Sequence, residues 1–394
     1  MEIIATNSAS TSKELCNPGH SSVRPLDEAF FAILRLALGA AQDFLFDLDA
    51  SQWSALYSMA KQQSLMGVAF DGISKLPKEK RPSKELMLQW SCVAESIRGV
   101  NWKMNREAAR ITHLFEEHGR RGVILKGQAN ARLYPNPLAR QAGDIDIWIP
   151  GGFRGVVDFL KGLGLISDDK NLRSFFHHVE MLGEGGIPVE IHYTISGIPF
   201  RDKELKAFLL DEVQHSVLVP EGFYSPTIKF ALLMQLAHLQ QHFFSKGLGL
   251  RQYMDYYELL LHSTDTERAE AVAVMKRLSM MRACGGVMWL LGHVFGLNES
   301  LMLCRPNEWR GRWLLRQVMQ GGNFGQYSKE SKLRGLPRWF NDRLRMLRWF
   351  PFDPVNVLFK ELRYWRATLF LIPARIKKRE LFLSRAHDEQ KLDF

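Results

Sequence analysis

The sequence predicts an α+β protein: a small mixed β-sheet core flanked by N-terminal and C-terminal helical regions. Three observations predict it. Apolar residues recur at helical spacing on both sides of the middle of the chain. In the middle, the spacing switches to alternation, over residues 145–149 and 187–193. The apolar fraction of 46% and charged fraction of 24% belong to an ordinary globular protein with a real core.

Residues 1–25 have no basic segment followed by an apolar one, so they do not fit a signal peptide, and a disordered leader is expected. Residues 26–119 form the N-terminal helical region. A helix is expected over 26–46 and breaks at 47–51. There Asp49 or Ser51 can cap a second helix over 52–65, which carries Trp53, Leu56, Met59 and Ala60. A charged, Pro-bounded loop covers 76–83. Residues 84–119 then form one long helix or two in series.

Residues 120–224 form the core. Strands are expected at 123–125 and 145–149, a short helix at 128–133 and a helix at 151–163. The runs 175–182 and 187–193 flank Gly183-Glu184-Gly185-Gly186 and predict a β-hairpin. Residues 225–304 form a helical region that completes a cleft, with helices over 228–244, 250–261, 267–281 and 286–297. The apolar run 283–297 is too short to span a bilayer and reads as a buried helix.

Residues 305–394 form a basic, aromatic-rich helical tail. They hold 20 Lys and Arg against 9 Asp and Glu, while the rest of the chain holds 32 against 33. Nearly all of the net charge of +10 therefore sits in the tail. Such a tail suits nucleic acid, an anionic membrane surface or another polyanion, or is a solvated face whose Arg stems pack on apolar surface. The four cysteines, Cys16, Cys92, Cys284 and Cys304, show no C-x-x-C spacing. Reduced thiols and a cytoplasmic location are expected.

The candidate site lies in the core. Asp144 and Asp146 are two apart, so on a strand they share a face, while Ile145, Ile147 and Ile149 share the other. Close carboxylates raise each other's pKa unless a cation sits between them, and a hard divalent cation such as Mg²⁺ suits the pair. Glu190 and His192 share the polar face of the last strand. His177-His178 and His238/His242 lack a third ligand at a suggestive spacing and read as structural histidines. Asp255 reads as a helix-capping or interhelical partner, or as part of a nucleotide pocket. Asp146→Asn is expected to abolish activity without a cost in stability.

These motifs carry a resemblance. Leu125-Lys126-Gly127, then Arg140-x-x-Gly143-Asp144-Ile145-Asp146-Ile147, then Val189-Glu190-Ile191-His192 resemble the polymerase-beta-like nucleotidyltransferase superfamily. The nearest group is bacterial and carries LKG in place of the usual Gly-Ser motif. The resemblance covers roughly residues 51–261.

It implies a Mg²⁺-dependent nucleotidyltransferase that moves a nucleoside monophosphate from an NTP, with ATP expected, to an unidentified hydroxyl or similar acceptor. It implies Asp144, Asp146 and Glu190 as catalytic residues and as ligands of a two-metal site. It implies Lys126, Gly127, Arg140 and Gly143 as the nucleotide-binding set. Arg140 is the better bidentate phosphate partner, and Gly127 lets the backbone approach phosphate. The departure from the superfamily is Lys126, where a small hydroxyl residue often stands. The alternative is a catalytically silent protein of the same fold, docked on an anionic partner or membrane surface through its basic C-terminus.

Overall fold

A computed structural model describes residues 24–40, 44–167, 177–195, 201–243, 247–327 and 333–378. Of the expected leader, residues 1–23 lie outside this set, as do 41–43 of the first expected helix, 175–176 of the expected hairpin, 244 of the helix expected over 228–244, and 328–332 and 379–394 of the tail.

The N-terminal helices are α1 (Pro25–Ala37), α2 (Ala50–Gln62), α3 (Met66–Ser74) and α4 (Lys84–Glu117). Helix α1 stops well short of residue 46. Gly39, at φ +91°, turns the chain out of the helix although apolar residues continue beyond it. Asp49 caps α2 through a reciprocal box with Gln52, as the sequence allows. Residues 84–117 form one unbroken helix of 34 residues, capped by Ser83.

The core contains β1 (Val123–Ile124), α5 (Gln128–Ala131), β2 (Ile145–Trp148), α6 (Gly152–Gly162), β3 (His178–Leu182) and β4 (Pro188–His192). It closes with α7 (Asp202–Glu212), β5 (Val217–Leu218) and β6 (Tyr224–Ser225). The six strands make one mixed sheet in the order β3-β4-β2-β1-β6-β5. Pairs β2–β4 and β1–β6 are parallel, whereas β3–β4, β1–β2 and β5–β6 are antiparallel.

Both faces of the sheet are covered. Ile145, Ile147, Val189 and Ile191 pack into one apolar cluster with Phe115 of α4 and Val156 and Leu160 of α6. Val123, Leu125 and Trp148 point the other way, into the larger cluster built by the N-terminal helices and those after residue 225. Each such buried aliphatic side chain contributes roughly 1.5–3 kcal/mol. Asp146 and His192 lie on the second face. Helices therefore cover the carboxylate, and open water does not.

Helices α8 (Ile228–Phe243), α9 (Leu250–Leu261), α10 (Asp265–Arg277) and α11 (Met281–Phe295) follow. Then come α12 (Glu308–Gly321), α13 (Gly335–Trp349) and α14 (Pro354–Lys378). The last two run antiparallel, since Trp339 Nε1 donates to Tyr364 Oη and Arg343 pairs with Glu361. Trp349 and Phe352 at their junction pack on Phe243 of α8. Among the described residues, no helix is long and apolar enough to cross a membrane.

Candidate active site

The register of the sheet builds the site. In the parallel pair β2–β4, Asp146 stands opposite Glu190 and Trp148 opposite His192. In the antiparallel pair β3–β4, His178 stands opposite His192 and Glu180 opposite Glu190. Residues two apart on each strand thus bring Asp146, Glu190, His192, Glu180 and His178 to one polar patch.

Asp146 is 1% exposed and holds two partners. Lys126 Nζ lies 2.8 Å from its Oδ2, and His192 Nε2 lies 2.9 Å from its Oδ1. Burial alone would favour a protonated Asp146. The Lys126 charge and the His192 hydrogen bond outweigh it and hold the carboxyl well below the usual range. Burial likewise opposes the Lys126 ammonium, yet Asp146, Asp144 and Glu190 together raise its pKa above the ordinary value. His192 balances the same way. Burial lowers its pKa, and the hydrogen bonds to Asp146 and Glu190 raise it further than burial lowers it.

Glu190 is more open, with 23% of its side chain exposed, and its Oε2 lies 3.5 Å from His192 Nε2 and 3.4 Å from His178 Nδ1. Asp146, Glu190 and His192 each offer a ligand atom within 4.8 Å of the others. This donor set fits a divalent cation, and the Lys126 ammonium on Asp146 marks a position that already accepts positive charge. Asp144 precedes β2 and is half-buried. Among the described residues it joins no group of three ligand atoms with Asp146 and Glu190. It does act on Lys126 through its charge.

Gly127 has φ +65°, and a Cβ there would lie 3.4 Å from the Asp144 carbonyl oxygen. The turn that joins Lys126 to α5 therefore needs glycine. Gly143 is exposed, and a Cβ there would meet nothing within 4 Å. Packing does not demand glycine at this position, and the backbone beside Asp144 is open to solvent.

Arg140 makes a two-pronged bond to Asp255 of α9, with Nε 2.6 Å from Oδ1 and Nη2 2.8 Å from Oδ2. Tyr134 Oη donates to the same Oδ1 at 2.7 Å. Arg140 and Asp255 are both at least 95% buried. Asp255 thus ties α9 to the segment between α5 and β2, and it occupies the Arg140 guanidinium.

Arg251, one turn before Asp255, stands outside the motifs that the sequence displays. It is 8% exposed and donates through Nη1 to the Gln141 carbonyl oxygen at 2.6 Å, while its Nε is buried with no hydrogen-bond partner. Burial and the neighbouring Arg140 push its pKa down to about 10, against the pull of Asp255 and Asp144. A cation one helical turn from Asp255 was the available signal. His178 also has a signal in the sequence. Pairing the hairpin about its Gly-rich turn sets it across from His192.

A family model described as an uncharacterised nucleotidyltransferase matches residues 49–296. No curated protein and no solved structure matches the chain.

Proposed function

The chain belongs to this family of uncharacterised nucleotidyltransferases, and from that premise we propose that it is a polymerase-beta-like enzyme. It moves a nucleoside monophosphate from an NTP, ATP by expectation, onto a hydroxyl or similar acceptor. The observation that carries the reading is the register of Asp146 with Glu190, with the Lys126 ammonium seated on Asp146.

In this reaction the acceptor oxygen forms a bond to the α-phosphorus. The bond from that phosphorus to the β-bridging oxygen breaks, and pyrophosphate leaves. Glu190, the more open carboxylate, orients the acceptor hydroxyl and takes its proton. Lys126 meets negative charge on the phosphate oxygens. Gly127 and Gly143 leave bare backbone on the approach. Arg140 fixes Asp255, which neutralises its charge, and so anchors α9 beside the site. Arg251 keeps further N–H donors and is the better direct phosphate partner. Divalent cations, Mg²⁺ in a two-metal arrangement by the resemblance, would be held by Asp146 and Glu190 with Asp144 at the rim, and would neutralise the phosphate oxygens.

The test is incubation with each α-labelled NTP and Mg²⁺. Label on the protein, on nucleic acid or on a metabolite supports transfer and identifies the acceptor. No covalent label from any NTP leaves the silent binding protein as the better account.

A second reading concerns the C-terminus and is compatible with the first. Residues 333–378 hold 11 Lys and Arg against 3 Asp and Glu. Leu336, Phe340 and Leu344 on α13, and Leu358, Leu362 and Trp365 on α14, are exposed at helical spacing. Exposed apolar stripes among arginines suit the surface of an anionic bilayer. We propose that this helical hairpin lies on such a surface while its base stays anchored on α8.

A further inference from the structure

We infer that His177, His178 and His192 form a binding site for a nitrogen-preferring divalent transition metal, Zn²⁺ or Co²⁺ in kind, beside the carboxylate pair. Two observations carry it.

The first is geometry. The ring centroids are 4.6 Å apart for His177 and His178, 5.4 Å for His177 and His192, and 5.2 Å for His178 and His192. One ring nitrogen from each lies within 4.8 Å of the other two. The backbone imposes this closeness. His178 and His192 face each other across the β3–β4 ladder, and the His177 carbonyl oxygen accepts from Tyr193 N at 3.2 Å.

The second is orientation. His192 is 4% exposed, uses Nε2 on Asp146, and keeps Nδ1 buried with no hydrogen-bond partner. A carboxylate on one ring nitrogen with the other left bare is how proteins hold a histidine that binds metal.

The donor type sets the metal class. Imidazole nitrogen suits Zn²⁺, Co²⁺, Ni²⁺ and Cu²⁺, whereas Mg²⁺ takes oxygen. Three protein ligands leave a position for water or a substrate oxygen, as in catalytic zinc sites. The site does not rest on the proposed transfer reaction, because its test reads binding with no nucleotide present.

Full-length protein stripped by a chelator is titrated with Co²⁺ and followed by its visible absorption, then with Zn²⁺ as a competitor. The expected result is one equivalent of Co²⁺ per chain with a nitrogen-ligand spectrum. Zn²⁺ displaces it, and Mg²⁺ in large excess does not. His177→Ala and His178→Gln each weaken binding about tenfold or more, whereas His113→Ala on exposed α4 has no effect. Circular dichroism identifies any variant that fails to fold. His177, the less buried of the two, supplies the decisive comparison if His178→Gln does not fold. Absence of stoichiometric uptake overturns the site. So does unchanged affinity in a folded His177→Ala protein, or displacement of Co²⁺ by Mg²⁺, which would assign the ion to the carboxylates.

Discussion

Lys126 and Asp146 form an ion pair at 2.8 Å across the β1–β2 corner, and Asp146 is 1% exposed. This carboxylate is therefore part of the fold as well as of the proposed chemistry.

The pair changes what Asp146→Asn should do. Two mutually repelling aspartates would make the substitution harmless to stability, or slightly favourable. In the structure Asp146 compensates both Lys126 and His192. Asn would leave the Lys126 ammonium without its counter-charge and His192 without its carboxylate partner, at a cost on the order of 3 kcal/mol. Asp146→Asn should lower the melting temperature by several degrees and abolish transfer. Thermal unfolding checks the first part, and an unchanged or higher melting temperature would show that the pair contributes nothing to the fold.

Glu258 is a buried acid with a clear pH signature. It is 1% exposed, its Oε1 has no hydrogen-bond partner, and burial with Asp255 nearby raises its pKa from 4.5 to about 8. The folded state keeps a proton that the unfolded chain has lost. Stability from this group is therefore fully present below pH 4.5, falls as pH rises, and levels off above about 8. Each tenfold difference in proton affinity between the folded and unfolded chain is worth about 1.4 kcal/mol. Glu258→Gln should make the protein more stable at pH 8 than wild type by a few kcal/mol and flatten the profile. Denaturant titrations at pH 5 and pH 8 measure it, and equal differences at both pH values would contradict the assignment.

Arg251 and Arg140 should separate. Arg251→Met removes a buried cation whose donors are largely unused, so it should raise the KM for NTP about tenfold with a smaller loss in kcat and little loss of stability. Arg140→Met leaves the buried Asp255 carboxylate with the Tyr134 hydroxyl but no counter-charge, so it should destabilise by roughly 3–5 kcal/mol. Steady-state kinetics with thermal unfolding of both variants distinguishes them. Equal KM for Arg251→Met and wild type would remove Arg251 from the phosphate site.

The helical hairpin of α13 and α14 should bind vesicles that contain anionic lipid and ignore neutral ones. Phe340→Asp with Leu362→Asp should abolish sedimentation with vesicles and leave the core intact, because both side chains are exposed. Equal binding to neutral vesicles would argue against the charge-based account. A concentration-dependent dimer that these substitutions abolish would assign the face to a second copy of the chain.

Some of this is legible in the sequence. Strict alternation marks β2 and β4, and the glycines between residues 183 and 186 mark the hairpin, so Asp146 and Glu190 fall on one polar face. The end of α1 is not legible, because apolar spacing runs on past Gly39 into residues 44–46. Helix α7 and strands β5 and β6 are not legible either, and for the strands the reason is that two residues carry no period. The partner of Arg140 cannot be read, since Asp255 lies 115 residues further along and meets it only through packing of α9. The third histidine beside His177 and His178 is hidden in the spacing of the histidines alone, and only pairing the hairpin about its Gly-rich turn sets His192 across from His178. Its closeness comes from strand register and not from sequence spacing.

The most direct test of the acidic site is pyrophosphate release, measured with α-labelled NTP, Mg²⁺ and the acceptor found by labelling. Wild type should release one pyrophosphate for each α-label transferred, and Glu190→Gln should fold normally and lose at least about a hundredfold in rate, the scale of a positioned base and ligand. Transfer of γ-label with release of a nucleoside diphosphate, or near wild-type turnover in Glu190→Gln, would contradict the account.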